Sequence, residues 1–207
     1  MTGASAAVTA TAGSLDPEAP LVVLLHGRGS HEQDVIGLAA HLPVGPAYVA
    51  VRAPIAEGGG FAWFANRGVG RPVAESLRQT MDWFESWLEG VAGARPVYLI
   101  GFSGGAAFAG GLILDRPARY AGAAVLYGTM PFDAGLPVTE GRLAGLPVFV
   151  AQGEQDAVIP KELLSRTWAY LTGGSGASAQ AVKVPGGHGV SEAAARELAA
   201  WLADRLE

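Results

Sequence analysis

Residues 96–105 read PVYLIGFSGG, so a short apolar run rich in β-branched and aromatic residues leads directly into a Gly-x-Ser-x-Gly motif. Residues 106–114, which follow, are all small or apolar. This pattern predicts a buried strand, a tight turn and a buried helix, with Ser103 exposed on the turn as a candidate nucleophile. With 30 glycines among 207 residues the motif could also arise by chance. The flanking strand and helix favour the functional interpretation, because a side chain at either motif glycine would crowd the serine or a neighbouring strand.

The composition indicates a packed globular protein, with 50% hydrophobic and 16% charged residues. A chain of this length predicts a single domain, residues 1–207, with residues 1–19 as an irregular or edge segment. The net charge of −5 provides no basic surface for nucleic acid. The absence of cysteine excludes disulfides, thiolate metal sites and a cysteine nucleophile.

Two segments bear on targeting and membranes. Residues 1–14 show neither a basic start nor a continuous apolar run, so we expect no signal peptide and a cytoplasmic protein. Residues 96–114 carry no charge over nearly the length of a membrane span. Pro96 and five glycines in this stretch favour a strand and a helix instead, and we expect no membrane span.

Further apolar runs alternate with helical patterns along the chain. This alternation predicts an α/β fold with a mainly parallel sheet and helices on both faces, in which ligands bind beyond the carboxyl ends of the strands. Residues 55–72 are expected to form a long loop. The other expected strands are 21–25, 47–51, 121–127, 146–151 and 180–184, and the other expected helices are about 31–42, 73–89, 160–172 and 191–206.

A serine nucleophile needs a base, and the base needs a partner that sets its tautomer. His188 is the only histidine after Ser103, and it lies in a glycine-rich turn before the last helix. Isolated histidines are usually structural, but this position favours a catalytic base. Asp156 directly follows a buried strand and is the preferred acid, although it could instead serve a helix N-terminus. Glu154 and Asp133 are the alternatives.

Acyl transfer also needs N–H donors for the developing oxyanion. Gly104, at the start of the helix, supplies one, and the turn after the first apolar strand supplies the other, from Arg28. The alternative for this turn is a glycine bend with no ligand. His26 is expected to be structural, with the remaining two histidines on the surface. The histidines are scattered, so we expect no metal site and no cofactor.

Four segments together resemble the phospholipase/carboxylesterase family of small α/β-hydrolases, which includes acyl-protein thioesterases and bacterial carboxylesterases. They are LHGRG at 25–29, GFSGG at 101–105, GEQDAVIP at 153–160 and GGHG at 186–189. The resemblance covers nearly the whole chain from about Leu21. It implies Ser103, Asp156 and His188 as a triad. Acyl-protein thioesterases typically carry Gln after the nucleophile, so Gly104 favours the bacterial carboxylesterase branch.

The resemblance and the segment lengths also describe the expected pocket. Fewer than twenty residues separate Tyr127 from Leu146, too few for a helical cap domain. We therefore expect an open apolar groove for short to medium acyl or aryl groups. Arg28 is a candidate to attract a substrate carboxylate. The expected lining residues are Trp63, Phe64, Phe102, Met130 and Phe132.

The sequence thus predicts a cofactor-independent serine hydrolase that cleaves small-molecule carboxylic esters through an acyl-enzyme. A thioesterase or lysophospholipase shares the same machinery and is one alternative. A non-catalytic binding protein with the same fold is the other. The sequence is compatible with either a monomer or a homodimer.

Overall fold

The computed structural model describes residues 7–206, and its main feature is a central sheet. The strands are β1 (Thr9–Gly13), β2 (Leu21–Leu25), β3 (Ala47–Val51), β4 (Ile55–Glu57), β5 (Gly60–Ala62), β6 (Val97–Phe102), β7 (Gly122–Leu126), β8 (Pro147–Gly153) and β9 (Ser178–Val184). Seven of them form one sheet in the order β1-β3-β2-β6-β7-β8-β9, and β4 and β5 form a separate hairpin. Within the large sheet only the β1–β3 pair is antiparallel.

Within the described residues, five α-helices accompany the strands: α1 (Glu32–Val35), α2 (Ala74–Ala92), α3 (Gly104–Asp115), α4 (Lys161–Ala169) and α5 (Glu192–Ala203). They cover both faces of the sheet, as β2 illustrates. Leu21, Val23 and Leu25 pack in one core with α2 and α3, whereas Val22 and Leu24 pack in the other with α5. Burial on both faces explains why this strand is a continuous apolar run rather than an alternating one.

Several predicted elements differ in detail from the structure. The expected helix 31–42 is the short α1 followed by a 3₁₀ helix, Ile36–His41, and Gly37 lowers its helical propensity. The expected helix 160–172 is α4 continued by a π-helical turn, Tyr170–Gly174. The segment 55–72 is not entirely loop, because it contains the β4–β5 hairpin. Three-residue strands around three consecutive glycines are too short to show a periodic pattern.

At the N-terminus, β1 pairs with β3 at the edge of the sheet. Residues 1–6, which belong to the segment 1–19 that was expected to be irregular or at an edge, lie outside the described residues, as does Glu207. A single domain over residues 1–207 stays a prediction.

Two features complete the expected fold class. Residues 127–146, all of which the structure describes, contain no helix or strand and therefore no cap domain. The uncharged stretch 96–114 is divided between β6 and the twelve-residue α3. Among the helices within residues 7–206, none is long and apolar enough to cross a membrane. The arrangement is an α/β-hydrolase fold without a cap, as predicted.

Candidate active site

Ser103 occupies a strained turn between β6 and α3. Its backbone has φ 54° and ψ −113°, a conformation that non-glycine residues rarely adopt, and its N–H donates to the carbonyl of Leu126 at 2.9 Å. The glycines of the motif permit this turn. A Cβ on Gly105 would overlap the carbonyls of Leu25 and His26, and a Cβ on Gly101 would overlap the carbonyl of Gly105. The turn thus packs directly against the end of β2, as expected from the motif.

The structure brings Ser103, His188 and Asp156 together, although they are far apart in the sequence. Ser103 Oγ lies 2.9 Å from His188 Nε2, and His188 Nδ1 lies 2.8 Å from Asp156 Oδ2. Ser103 follows β6, Asp156 follows β8 and His188 follows β9, so all three lie beyond the carboxyl ends of strands. This is the geometry in which an imidazole can take the serine proton while a carboxylate holds its other nitrogen.

Asp156 is the buried member of this group, with a fully inaccessible side chain. Its Oδ1 accepts the N–H groups of Val158 at 2.9 Å and Ile159 at 3.1 Å, which leaves Oδ2 for His188. Burial tends to raise the pKa of this carboxyl. The hydrogen bonds from His188 and the two N–H groups outweigh burial, and the pKa of Asp156 is lowered from its ordinary value. The carboxylate is therefore held charged and oriented.

The two alternative acids lie elsewhere. Glu154 is exposed, two residues before Asp156. Asp133 is also exposed and lies 3.8 Å from the guanidinium of Arg166, to which it can form a surface ion pair. Neither carboxylate is hydrogen-bonded to His188 among the described residues.

The Arg28 and Gly104 backbones approach each other next to Ser103. A Cβ placed on Gly104 would lie 3.2 Å from the Arg28 nitrogen. Within residues 7–206, neither N–H donates to another protein group. Gly104 is also the first residue of α3, where the N–H groups have no partner inside the helix and the helix dipole favours negative charge. The two N–H groups are therefore available to a ligand oxygen.

His26 supports this turn from behind. Its Nδ1 donates to the carbonyl of Gly27 at 2.7 Å, and its Nε2 accepts the N–H of Ala53 at 3.1 Å. The His26 ring is therefore neutral, with its proton on Nδ1. Burial lowers its pKa, more strongly than the bond to Gly27 raises it. Trp63 adds a further bond, from Nε1 to the carbonyl of His26 at 2.8 Å.

The β4–β5 hairpin also supports the turn, in a way that the sequence did not predict. Gly29 donates to the carbonyl of Phe61 at 2.8 Å, and Phe61 donates to the carbonyl of Ser30 at 3.0 Å. The chains come so close that a Cβ on Gly60 would overlap the carbonyl of Gly29. The loop that carries the Arg28 N–H is thus paired to the hairpin as a short antiparallel bridge.

A cavity of about 360 Å³ opens beside Ser103 and His188. Trp63, Phe64 and Phe102 line it, as expected. Among the residues that line it without having been predicted are Val69, Gly70, Ala107, Thr129, Val158 and Ile159. Val158 and Ile159 lie two and three residues after Asp156, in the GEQDAVIP segment that singled out Asp156. Thr129 and residues 69–70 carry no local signal, because long-range packing places their loops at the site.

Met130 and Phe132 do not line this cavity, which corrects the prediction from the sequence. Thr129 faces the cavity, and Met130, next in the chain, points into the core, where it is fully buried against Gly110 of α3. The ring of Phe132 is covered by the Arg166 guanidinium, 4.0 Å from its centre, and by Tyr170.

Arg28 is among the residues that line the cavity, and its side chain is already paired. Its Nε lies 2.8 Å from Glu57 Oε1 and its Nη2 lies 2.5 Å from Glu57 Oε2. Its Nη1 donates to the carbonyl of Phe64 at 3.2 Å. The arginine that was expected to attract a substrate carboxylate is therefore bound to a carboxylate of the protein itself.

The remaining histidines are His31 and His41. His31 lies near Asp34, with 3.6 Å between Nε2 and Oδ2, and His41 is exposed. Within the part of the chain that the structure describes, no three His, Asp or Glu side chains are grouped as metal ligands.

Comparisons with known proteins place the chain in a family. The sequence matches the phospholipase/carboxylesterase family over residues 6–203. Bacillus subtilis (strain 168) MhqD is 27% identical over 191 residues, which cover 90% of this chain and 94% of that protein. The Bacillus cereus carboxylesterase superimposes with a TM-score of 0.85 at 22% identity, covering 96% of this chain and 94% of that one. The Mesorhizobium loti carboxylesterase gives 0.83 at 25% identity, with 98% and 97% covered. The chain therefore belongs to the phospholipase/carboxylesterase family of hydrolases.

Proposed function

We propose that this protein is a serine hydrolase that cleaves small carboxylic esters through an acyl-enzyme. The observation that carries the proposal is the continuous hydrogen-bonded path from Ser103 through His188 to Asp156, with distances of 2.9 and 2.8 Å. An unactivated serine hydroxyl is a weak nucleophile, and this path supplies both a base and a group that orients the base.

In the proposed reaction, Ser103 Oγ attacks the acyl carbon while His188 Nε2 accepts the serine proton. Asp156 holds the Nδ1 proton and stabilises the imidazolium. The N–H groups of Arg28 and Gly104 stabilise the oxyanion, an interaction for which one donor contributes about 10²–10³ in kcat. His188 then returns the proton to the leaving alcohol, and it activates the water that hydrolyses the acyl-enzyme.

The cavity supports esters of short to medium acyl or aryl groups. Its volume of about 360 Å³ is near the lower end for small-molecule sites, and its walls include Trp63, Phe64 and Ala107. Trp63 is buried and stacks on Phe108, with 4.5 Å between ring centres, so this wall is rigid. A long acyl chain would have to extend over the protein surface.

The test is labelling by a fluorophosphonate probe together with turnover of p-nitrophenyl esters from two to twelve acyl carbons. We expect Ser103 to be labelled and the kcat/KM to be highest for short to medium chains. Ser103→Ala should abolish labelling and lower kcat by several orders of magnitude at unchanged melting temperature.

Absence of both labelling and turnover in the wild-type protein would contradict the proposal and favour a binding protein with the same fold. Matched thioesters and lysophospholipids in the same panel measure the preference among ester, thioester and lipid substrates. A higher kcat/KM for either of these than for every simple ester would overturn the assignment to simple esters.

A further inference from the structure

Among the described residues 7–206, Arg28 is the only residue with a fixed charge in the cavity lining, and its guanidinium reaches the carbonyl of Phe64, which also lines the cavity. A free guanidinium at this place would attract anionic substrates, because a charge at the mouth of a low-dielectric cleft acts strongly on a nearby ligand. The charge that a substrate meets therefore depends on what Arg28 is bound to.

Glu57 compensates that charge through a two-point contact. The two carboxylate oxygens of Glu57 contact Nε and Nη2 of Arg28. The remaining nitrogen, Nη1, donates a hydrogen bond to the carbonyl of Phe64. Such a fork-to-fork pair is the geometry in which a carboxylate satisfies arginine best. Glu57 does not line the cavity, so it acts on the site through Arg28.

We propose that Glu57 sets the charge selectivity of this site by neutralising Arg28, so that the enzyme prefers esters with uncharged acyl groups and disfavours acyl groups that end in a carboxylate. This inference rests on the proposed ester hydrolysis. An anionic acyl group entering the cavity therefore meets a cation that already has its counter-charge. Both arms of the pair are about one-third exposed, so the effect depends on ionic strength.

The experiment compares p-nitrophenyl butyrate with mono-p-nitrophenyl succinate, whose acyl groups have the same number of carbons but differ by one carboxylate. Glu57→Gln keeps the shape of the side chain and removes its charge. We expect the ratio of kcat/KM for the anionic over the neutral ester to rise by about fivefold at low salt, and the gain to shrink at about 0.5 M salt.

Two variants check the cause. Arg28→Gln keeps the backbone N–H but leaves Glu57 without its partner, and the same ratio should fall below that of the wild-type protein. Glu89→Gln changes the net charge equally on an exposed position of α2 and should leave the ratio unchanged. An unchanged ratio in Glu57→Gln, or an equal rise in Glu89→Gln, would overturn the proposal.

A binding measurement separates this inference from the proposed reaction. In the Ser103→Ala background, the affinities for the two intact esters are measured by calorimetry with and without Glu57→Gln. A rise in the relative affinity for the anionic ester supports the charge proposal even when no turnover is seen. Turnover of both esters by the wild-type protein, combined with no change in relative affinity when Glu57→Gln is added to Ser103→Ala, contradicts the charge proposal alone.

Discussion

The Nδ1 atom of His26 lies 2.7 Å from the carbonyl oxygen of Gly27 and holds the peptide group that also carries the Arg28 N–H. In a planar trans peptide the carbonyl and the N–H point in opposite directions. Because the Gly27 carbonyl points toward the His26 ring, the Arg28 N–H of the same peptide group points away from that ring. His26 has no place in the proposed proton path, yet it sets the direction of one proposed oxyanion donor.

This role makes the neutral form of His26 important for stability. Because burial lowers its pKa below the ordinary value of 6.5, the folded protein binds fewer protons here than the unfolded chain in mildly acidic solution. The contribution of neutral His26 to the free energy of unfolding is complete above about pH 6.5 and is lost as the pH falls toward the lowered pKa.

We expect the melting temperature to fall less steeply from about pH 7.5 to about pH 5.5 in His26→Gln than in the wild-type protein. His41→Gln, at an exposed position, should parallel the wild-type curve. Equal slopes for His26→Gln and wild type would contradict this account.

Asp156→Asn should lower kcat by about 10³–10⁴ with little change in KM. The amide oxygen can keep the two N–H groups of Val158 and Ile159, which turns the amide N–H₂ toward His188 Nδ1. His188 must then carry its proton on Nε2 and cannot accept the proton of Ser103. Steady-state kinetics with a p-nitrophenyl ester measures the effect. The matched control is Asp133→Asn, an exposed carboxylate, for which near-wild-type kinetics is expected.

Gly60→Ala tests the coupling of the hairpin to the Arg28 turn. The added methyl group overlaps the carbonyl of Gly29, so the two backbones must separate. We expect a loss of about 1–3 kcal/mol in the free energy of unfolding and a fall in kcat, because the Arg28 N–H moves with its loop.

Gly90→Ala is the control for Gly60→Ala. Gly90 lies within α2 with open space around it, and alanine there should stabilise by up to about 1 kcal/mol. A destabilised Gly60→Ala protein with unchanged kcat would show that the hairpin does not position the turn.

Val69 and Val158 form an apolar rim at the mouth of the cavity, 44% and 53% exposed. We expect a longer acyl chain to bury them further and an acetyl group to be too short to contact them. For Val69→Ser and Val158→Ser we expect KM to rise by about two- to fivefold for octanoate esters and to stay unchanged for acetate esters. Val44→Ser, a fully exposed valine outside the cavity lining, is the control. Equal effects on the two chain lengths would remove the rim from the binding site.

The residues that the sequence predicted best are those with a local pattern of their own. Ser103 lies between an apolar strand and a small-residue helix, and Asp156 and His188 each follow a strand in a polar or glycine-rich turn. Met130 and Phe132 lie in the segment that is too short for a cap domain, and both were expected to line the open groove. Their direction depends on how one loop packs on α3, which no local pattern reports.

Local composition thus specified the alternation of buried strands and helices, since burial on both faces requires continuous apolar runs and tight turns require glycine. The same local patterns predicted Ser103, His188 and Asp156 as candidate site residues, because each of them follows a predicted strand. The partners of Arg28 and His26 were decided by contacts across the chain: Glu57 is 29 residues from Arg28, and Ala53 is 27 from His26. These interactions act over a few ångströms, so the pairs form only when the sheet and the hairpin bring distant turns together. They produce no periodic pattern in the sequence, and the sequence therefore does not predict them.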